Sequence, residues 1–528
     1  MNIKKILLIC VTTLFTLLAL NSCNSNSERA NYIPGDALIV VNLDMKSLWN
    51  KCDFSNINNI SFVKLGLQEL REDEPAFGKI VDDIIKDPKS SGLNLKNDIT
   101  FFANDRYGVI VASMHNMSKF EEKLNDLARE NDIKLHFEKK DGYKKAILDD
   151  LYFFYYNKEV AYFEVSNLAN GFDDFLNDKK SKTLADNKKF KEYWKTRTEL
   201  SLWLDFGAFI DLADYKNSAE LLDEYFGISK DYLDALHDGC LVCNLAFDDG
   251  CIRLTSDMPG VDTKYVKEFT KAFNKELLGS LPEKSYALVT LAMNPEFMEH
   301  YLETLSRNDD IDLDEEIIDN VTIRDILHIF NGSVAFSLFD FDEMKEMPFM
   351  AIVADIKNDS DIKQILARLN LTMENGYYKI PESEFDGELY IAVKDKKAIF
   401  TNSYSAIKDF TNGTAKGINI KPKSDNYAYA DLDINNYPIA LTSNIPEKIC
   451  KLLAQYSDYT EIKSDGYKGE WTVYLKNKKE NSLLFTLHFI DDNLMSIKNI
   501  AENIDDNDDY YLLEDDDDYM MEPFEYAE

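Results

Sequence analysis

Ala37-Leu38-Ile39-Val40-Val41-Asn42-Leu43 and Ser285-Tyr286-Ala287-Leu288-Val289-Thr290-Leu291 read as one passage written twice. Each is an apolar, β-branched run of strand type, preceded by a proline and followed by a helix start. At a constant offset of 248, Pro34, Val41, Leu43 and Met45 meet Pro282, Val289, Leu291 and Met293, and Trp49 meets Phe297.

Three further matches keep that order. Gly108–Ala112 corresponds to Met350–Ala354, and an amphipathic helix follows each run. Its apolar face is Met117, Phe120, Leu124 and Leu127 in the first case, and Ile362, Ile365, Leu366 and Leu369 in the second. Ser118 with Glu121 forms a capping-box pattern, and Ser360 sits at the matching start. Gly142-Tyr143-Lys144 then matches Gly376-Tyr377-Tyr378, and Ala161-Tyr162-Phe163 matches Ala398-Ile399-Phe400. Finally, Trp203-Leu204-Asp205-Phe206 matches Tyr429-Ala430-Asp431-Leu432. Four matches in order are the mark of an internal duplication.

The expected body is therefore two tandem copies, residues 31–258 and 281–495. In the linking stretch 259–280, Val266, Phe269, Phe273 and Leu277 predict one amphipathic helix over Val261–Leu278. Strands and helices come in runs, with hairpin turns such as Asp249-Gly250. This predicts the α+β class, each copy an antiparallel sheet with helices.

Two flanks stand outside that body. Lys4 and Lys5 precede the uncharged run Ile6–Leu20, then Leu20-Asn21-Ser22-Cys23. A basic start, an apolar run of 15 residues and a short cleavage region make a secretory signal over residues 1–22, too short to span a bilayer. The last four of these residues resemble a lipobox, which implies cleavage before Cys23, lipid on Cys23, and a tether over 23–30. At the other end lies an acidic tail, 496–528. From Asp505 to Glu528, 12 of 24 residues are acidic and none is basic, a pattern expected to be disordered.

The lipobox, the opening IPxDAxxVVxLDxKSLW over Ile33–Trp49 and the bipartite body of about 500 residues resemble the Bacteroidota lipoproteins grouped as domain-of-unknown-function family 4836. The resemblance implies membrane attachment through acyl chains on Cys23 and brings no catalytic residue. Such lipoproteins tend to carry an acidic cluster behind the cysteine when they are surface-exported. Asn24-Ser25-Asn26-Ser27-Glu28 lacks one. The expectation is an outer-membrane anchor with the body in the periplasm, the alternative being the cell surface.

Composition narrows the chemistry. A net charge of −36 argues against nucleic acid, which needs a basic face. No GxGxxG, GxxxxGK[ST], GxSxG or HExxH motif occurs, so no nucleotide, catalytic or metal residue is assigned and no cofactor is expected. The six histidines, at 115, 136, 237, 300, 328 and 488, show no local pairing. Cys240 and Cys243 form a CxxC near Cys251 and His237. With Asp249-Gly250 as the turn, Phe247 faces Ile252 and Leu245 faces Leu254. That leaves no two of these cysteines opposite and favours free thiols over zinc or a disulfide.

The aromatic run Leu151–Tyr156 reads as a buried strand rather than a sugar platform. Asp505-Asp506-Asn507-Asp508-Asp509 begins like a calcium loop, but Tyr510 stands where glycine is required. Tyr510, Tyr511, Leu512, Leu513, Tyr519, Met520, Met521 and Phe524 interrupt the tail acids, which suggests either a segment that docks on a protein partner or a mobile tail that only aids solubility. Taken together, the expected function is a lipid-anchored envelope protein that binds or scaffolds. The second reading is an envelope hydrolase with its site in the cleft between the copies.

Overall fold

The computed structural model describes residues 29–52, 59–73, 75–130, 132–148, 152–164, 171–177, 182–212, 230–306, 313–318, 321–342, 347–369, 371–380, 388–437 and 447–511. The signal, Cys23 and residues 512–528 of the tail lie outside them.

One large antiparallel sheet organises the chain. Its strands are β1 (Ile39–Leu43), β2 (Ile99–Ala103), β3 (Gly108–Met114), β4 (Leu135–Lys139), β5 (Lys144–Leu148), β6 (Tyr152–Tyr156), β7 (Val160–Glu164), β8 (Leu200–Asp205), β9 (Cys240–Asp248) and β10 (Cys251–Asp257). They continue with β11 (Ala287–Ala292), β12 (Phe330–Asp342), β13 (Met347–Ile356), β14 (Met373–Glu374), β15 (Tyr377–Ile380), β16 (Leu389–Lys394), β17 (Lys397–Thr401), β18 (Asn426–Asp431), β19 (Ser457–Ser464) and β20 (Lys468–Leu475). The ladders of the first half run β4-β5-β6-β7-β3-β2-β1-β8-β9-β10. Those of the second run β14-β15-β16-β17-β13-β12-β11-β18-β19-β20. The halves join where β10 pairs with β20, from Cys251 opposite Tyr474 to Asp257 opposite Lys468.

Alternation sets the faces. In β1, Val40 and Asn42 are buried while Ile39, Val41 and Leu43 are half-buried. On one face Val40, Phe102, Val109, Tyr162 and Trp203 form the first core with Ala30 and Ile33. Helices α1 (Met45–Lys51), α2 (Ser61–Asp73), α3 (Pro75–Lys86), α4 (Met117–Glu130), α5 (Gly171–Asn177) and α6 (Lys188–Thr196) belong to this half. Helix α6 buries Phe190, Tyr193 and Trp194 against that core, and α5 adds Phe172. A second core of Leu288, Ala335, Val353, Tyr390 and Ile399 forms in the other half under Phe273 and Leu277.

The linking stretch departs from the single helix expected over Val261–Leu278. It is helix α7 (Thr263–Phe269), an extended turn, then a 3₁₀ turn over Lys275–Ser280. The break has a cause: the Phe273 N–H donates to Asp425 Oδ1 at 3.0 Å and the Asn274 N–H to Ser333 Oγ at 3.0 Å. Donors that a helix would use internally are taken by the second half. Helix caps also differ from expectation. Asn116, not Ser118, accepts from the Lys119 N–H ahead of α4. Asn358 accepts from Ser360 and Asp361 ahead of α8 (Asp359–Arg368). Helices α9 (Tyr404–Asn412), α10 (Glu447–Tyr456) and α11 (Ser482–Tyr511) follow, and further helices lie at Phe206–Leu212, Lys230–His237, Pro295–Ser306 and Ile323–Ile329. Helix α11 runs through Asp505–Asp509, so the first part of the expected disordered tail is helical and offers no calcium-loop backbone.

Tyr152–Tyr156 is an interior strand: Tyr155 and Tyr156 are fully buried and Phe154 stacks on Phe163 at 4.8 Å. Beneath it, buried Glu164 accepts from the Tyr155 hydroxyl at 2.8 Å, and Lys145 pairs with Asp173 at 2.6 Å. Burial holds the Glu164 carboxyl above its usual range, against the hydrogen bond from Tyr155 and the nearby Lys145. A carboxyl raised on folding contributes most at low pH. Its contribution falls as pH rises from the unfolded value of about 4.3 through the folded one. Glu164→Gln is expected to remove that falling limb, leaving the variant at least as stable as wild type at neutral pH in urea titrations across pH. A wild-type profile parallel to that of the variant refutes it.

Candidate binding cleft at the seam

At the seam the sheet carries a polar cleft on one face and an exposed apolar row on the other. Asp249-Gly250 turns β9 into β10 with Phe247 opposite Ile252 and Leu245 opposite Leu254, the register expected from sequence. Gly250 takes φ +70°, and a Cβ there would lie 2.7 Å from Lys478 Cα. At Gly469 a Cβ would meet Ser256 Oγ at 2.6 Å, so glycine lets β20 close on β10.

On the face shared with the cores, the seam opens into a cleft of about 620 Å³. Tyr193, Thr196 and Thr198, Asn244, Arg253 and Thr255, Lys423 and Ser424, and Lys463 to Glu470 contribute to its walls. Five cations line it, Lys189, Arg253, Lys423, Lys463 and Lys468, against Glu192, Asp257, Asp465 and Glu470. In a chain of net charge −36 this is a locally balanced site.

Most of its charges are already paired. Lys463 holds Glu470 at 2.6 Å, and Lys468 holds Asp257 at 3.2 Å. Below them Glu461 accepts from Lys423 and from the Tyr427 hydroxyl, both at 2.6 Å. Burial pushes the Glu470 and Glu461 carboxyls up, but their lysines and hydroxyl donors outweigh it and hold both below the usual range. Neither is poised to donate a proton at neutral pH.

Two polar atoms at the cleft have no such partner. The Tyr193 hydroxyl is buried, and burial pushes its phenol up against Arg197 and Ser201, yet it makes no hydrogen bond of full geometry. Asn244 Oδ1 is likewise buried and unpaired. Buried polar groups are normally satisfied, and an unpaired one at a cleft wall marks where water or a ligand group belongs.

The opposite face carries an apolar row directly across the seam: Leu245, Leu254, Trp471, Ile462, Ala428, Val289, Phe336 and Ile352. Leu254, Trp471 and Ile462 are 37%, 48% and 46% exposed, too open for a core row.

Among the described residues no histidine lines the cleft. His237, His328 and His488 instead pair locally with Asp211, Glu299 and Glu480. Cys240, Cys243 and Cys251 are free thiols. Burial pushes Cys240 up to about 11, which keeps it protonated. Among the described residues no group of three or more His, Cys, Asp or Glu is arranged to hold a metal, and no helix is long and apolar enough to cross a membrane. The sequence placed only the second, hydrolase reading in a cleft between the two expected copies and named none of these residues. They come from four separate stretches, and only the ladder brings them together.

A family described as Domain of unknown function (DUF4836) matches residues 29–483. No curated protein and no solved structure matches the chain.

Proposed function

For a chain that belongs to the DUF4836 family, whose description names no activity, we propose a lipid-anchored binding module of the bacterial envelope, with its ligand site in the seam cleft. The observation that carries this is the cleft itself, walled by hydroxyl and amide side chains beside the ion pairs Lys463–Glu470 and Lys468–Asp257, with the Tyr193 hydroxyl and Asn244 Oδ1 making no hydrogen bond of full geometry there. The chemistry favours a polar ligand able to hydrogen-bond several hydroxyls at once, as an oligosaccharide does. The hydrolase reading loses ground, because a raised acid beside an activated base is the feature such a site requires.

The module is read as two copies of one unit. Supporting this, the two halves follow the same strand order outward from the seam. All four sequence matches, apart from the Gly142 part of the third, also fall in equivalent register: Val41 and Val289 pair with Phe101 and Phe336, those with Ile110 and Ile352, and those with Phe163 and Phe400 across β1-β2-β3-β7 and β11-β12-β13-β17, while Trp203 and Tyr429 lie opposite Val40 and Leu288. Asn116 and Asn358, the two caps, keep the offset of 242 that separates β3 from β13. The Bacteroidota lipoprotein identity, the outer-membrane anchor, the periplasmic body and a protein partner for the acidic tail belong to the same proposal.

Tyr193→Phe is expected to change stability by less than about 1 kcal/mol, since the hydroxyl makes no hydrogen bond of full geometry and has only Ser201 and Arg197 acting on it. A panel of neutral and uronic-acid oligosaccharides, screened by thermal shift and titrated by calorimetry, should raise Tm in wild type. Binding in the variant should fall by about tenfold, the value of one good hydrogen bond. No thermal response from any polar ligand, or equal binding by Tyr193→Phe, overturns the cleft assignment.

A further inference from the structure

The first described residue is also among the most deeply fixed. Arg29 is 6% exposed. Its Nη2 donates to the Asp98 carbonyl oxygen at 2.7 Å and to Ser113 Oγ at 2.8 Å, while Ala30 and Ile33 enter the first core. From Arg29 onward the chain has no slack. Between Cys23 and Arg29 stand only Asn24-Ser25-Asn26-Ser27-Glu28.

Six residue steps span at most about 20 Å when fully extended. A body of about 500 residues has a radius of gyration of about 23 Å. The tether is therefore shorter than the body is wide, and free tumbling at its end is sterically impossible. From this length and this fixed end, and resting on lipidation of Cys23, we infer that the face around Arg29 lies against the bilayer surface.

The chemistry of that face suits a headgroup layer. Asn97 Nδ2 donates to the same Ser113 hydroxyl at 2.9 Å, and Tyr32 donates to Glu159 at 2.9 Å. Lys96 and Lys158 adjoin Asn97 and Glu159 in the chain, in a protein whose net charge of −36 is otherwise repelled by anionic lipid. The consequence reaches the cleft. Asp98 also accepts from Arg197 at 2.7 Å, and Arg197 sits between Thr196 and Thr198 on the cleft wall. Asp98 thus ties the Arg29 end of the body to the stretch that carries Thr196 and Thr198 on the cleft wall.

The test uses the full lipidated protein in vesicles of phosphatidylethanolamine and phosphatidylglycerol. A photo-crosslinking p-benzoylphenylalanine replaces Lys158 in one version and Met373 in another. Met373 is 55% exposed on β14, fifteen ladders from β3 and about 70 Å away along the sheet. Lipid adducts are expected several-fold more often at 158 than at 373. Inserting about twenty Gly/Ser residues between Ser27 and Glu28, about 25 Å of added r.m.s. reach, should erase the contrast. Equal yields with the native tether, or a contrast that survives the insertion, overturns the apposition. The mass of the N-terminal peptide is read in the same samples. Absence of acyl chains there sinks the anchor itself, whereas their presence with equal yields sinks only the orientation.

Discussion

Cys23→Ala is expected to shift the protein almost entirely from the membrane to the soluble fraction and to leave its signal unprocessed by a lipoprotein peptidase. Attachment through lipid follows the arithmetic of buried methylenes, about 0.8 kcal/mol each, so two or more acyl chains hold a protein of any size firmly. Among the described residues no helix is long and apolar enough to cross a membrane, and a net charge of −36 opposes adsorption to anionic headgroups. Single lysines such as Lys96 and Lys158 are too few to retain the body, because surface charges are screened beyond about 8 Å. Fractionation of variant and wild type, with mass analysis of the N-terminal peptide, decides. Unchanged membrane partition of the alanine variant refutes the anchor.

How far the residues announce this architecture depends on the range of the interactions involved. The strand at Val40–Val41 and the helix face Phe120–Leu124 were legible because one-dimensional periodicity records which side is buried. The hairpin at Asp249-Gly250 was legible to the residue, since a two-residue turn fixes every cross-strand pair behind it. Caps were misread by two positions. Ser118 with Glu121 satisfied the pattern, but Glu121 instead accepts from Lys144 and Tyr156, and Asn116 does the capping.

The match of Gly142 to Gly376 was likewise a match of turns and not of register. With Phe163 equivalent to Phe400, the ladders put Ala146 opposite Phe154 where Tyr378 is opposite Ile391, two residues away from the sequence alignment. The helix predicted over Val261–Leu278 failed for a reason no local window contains, namely acceptors at Asp425 and Ser333. The cleft belongs to the same class. Tyr193 looks like an ordinary amphipathic-helix residue, and only the packed neighbours reveal that its hydroxyl has no partner.

Asp98→Ala should be the most damaging single substitution in the described body, at about 3–5 kcal/mol, the cost of stranding a buried charge. Asp98 is 8% exposed and serves two guanidiniums. Its Oδ2 accepts from Arg197 Nη2 at 2.7 Å, and its charge is the largest influence opposing the burial that lowers the Arg29 pKa. Arg197 keeps a ring partner in Trp194 at 4.4 Å, but its Nε is already unpaired, as is Arg29 Nη1. Without the carboxylate, two cations remain in a site with no spare acceptor. A loss of this size is a large share of the 5–15 kcal/mol that holds a typical domain together.

The double variant Asp98→Ala with Arg197→Met should be less destabilised than the sum of the two singles, because an apolar side chain of similar length removes the stranded charge. Urea midpoints for the four proteins of this cycle give the coupling directly. A cost below about 1 kcal/mol for Asp98→Ala, or strict additivity in the double variant, means the buried pair does not hold α6 in place. If the pair does hold it, the cleft fails along with it. Thr196, Thr198 and Tyr193 are positioned by the same turn of chain that Asp98 pins, so cleft binding in the alanine variant should weaken even at temperatures where the protein stays folded.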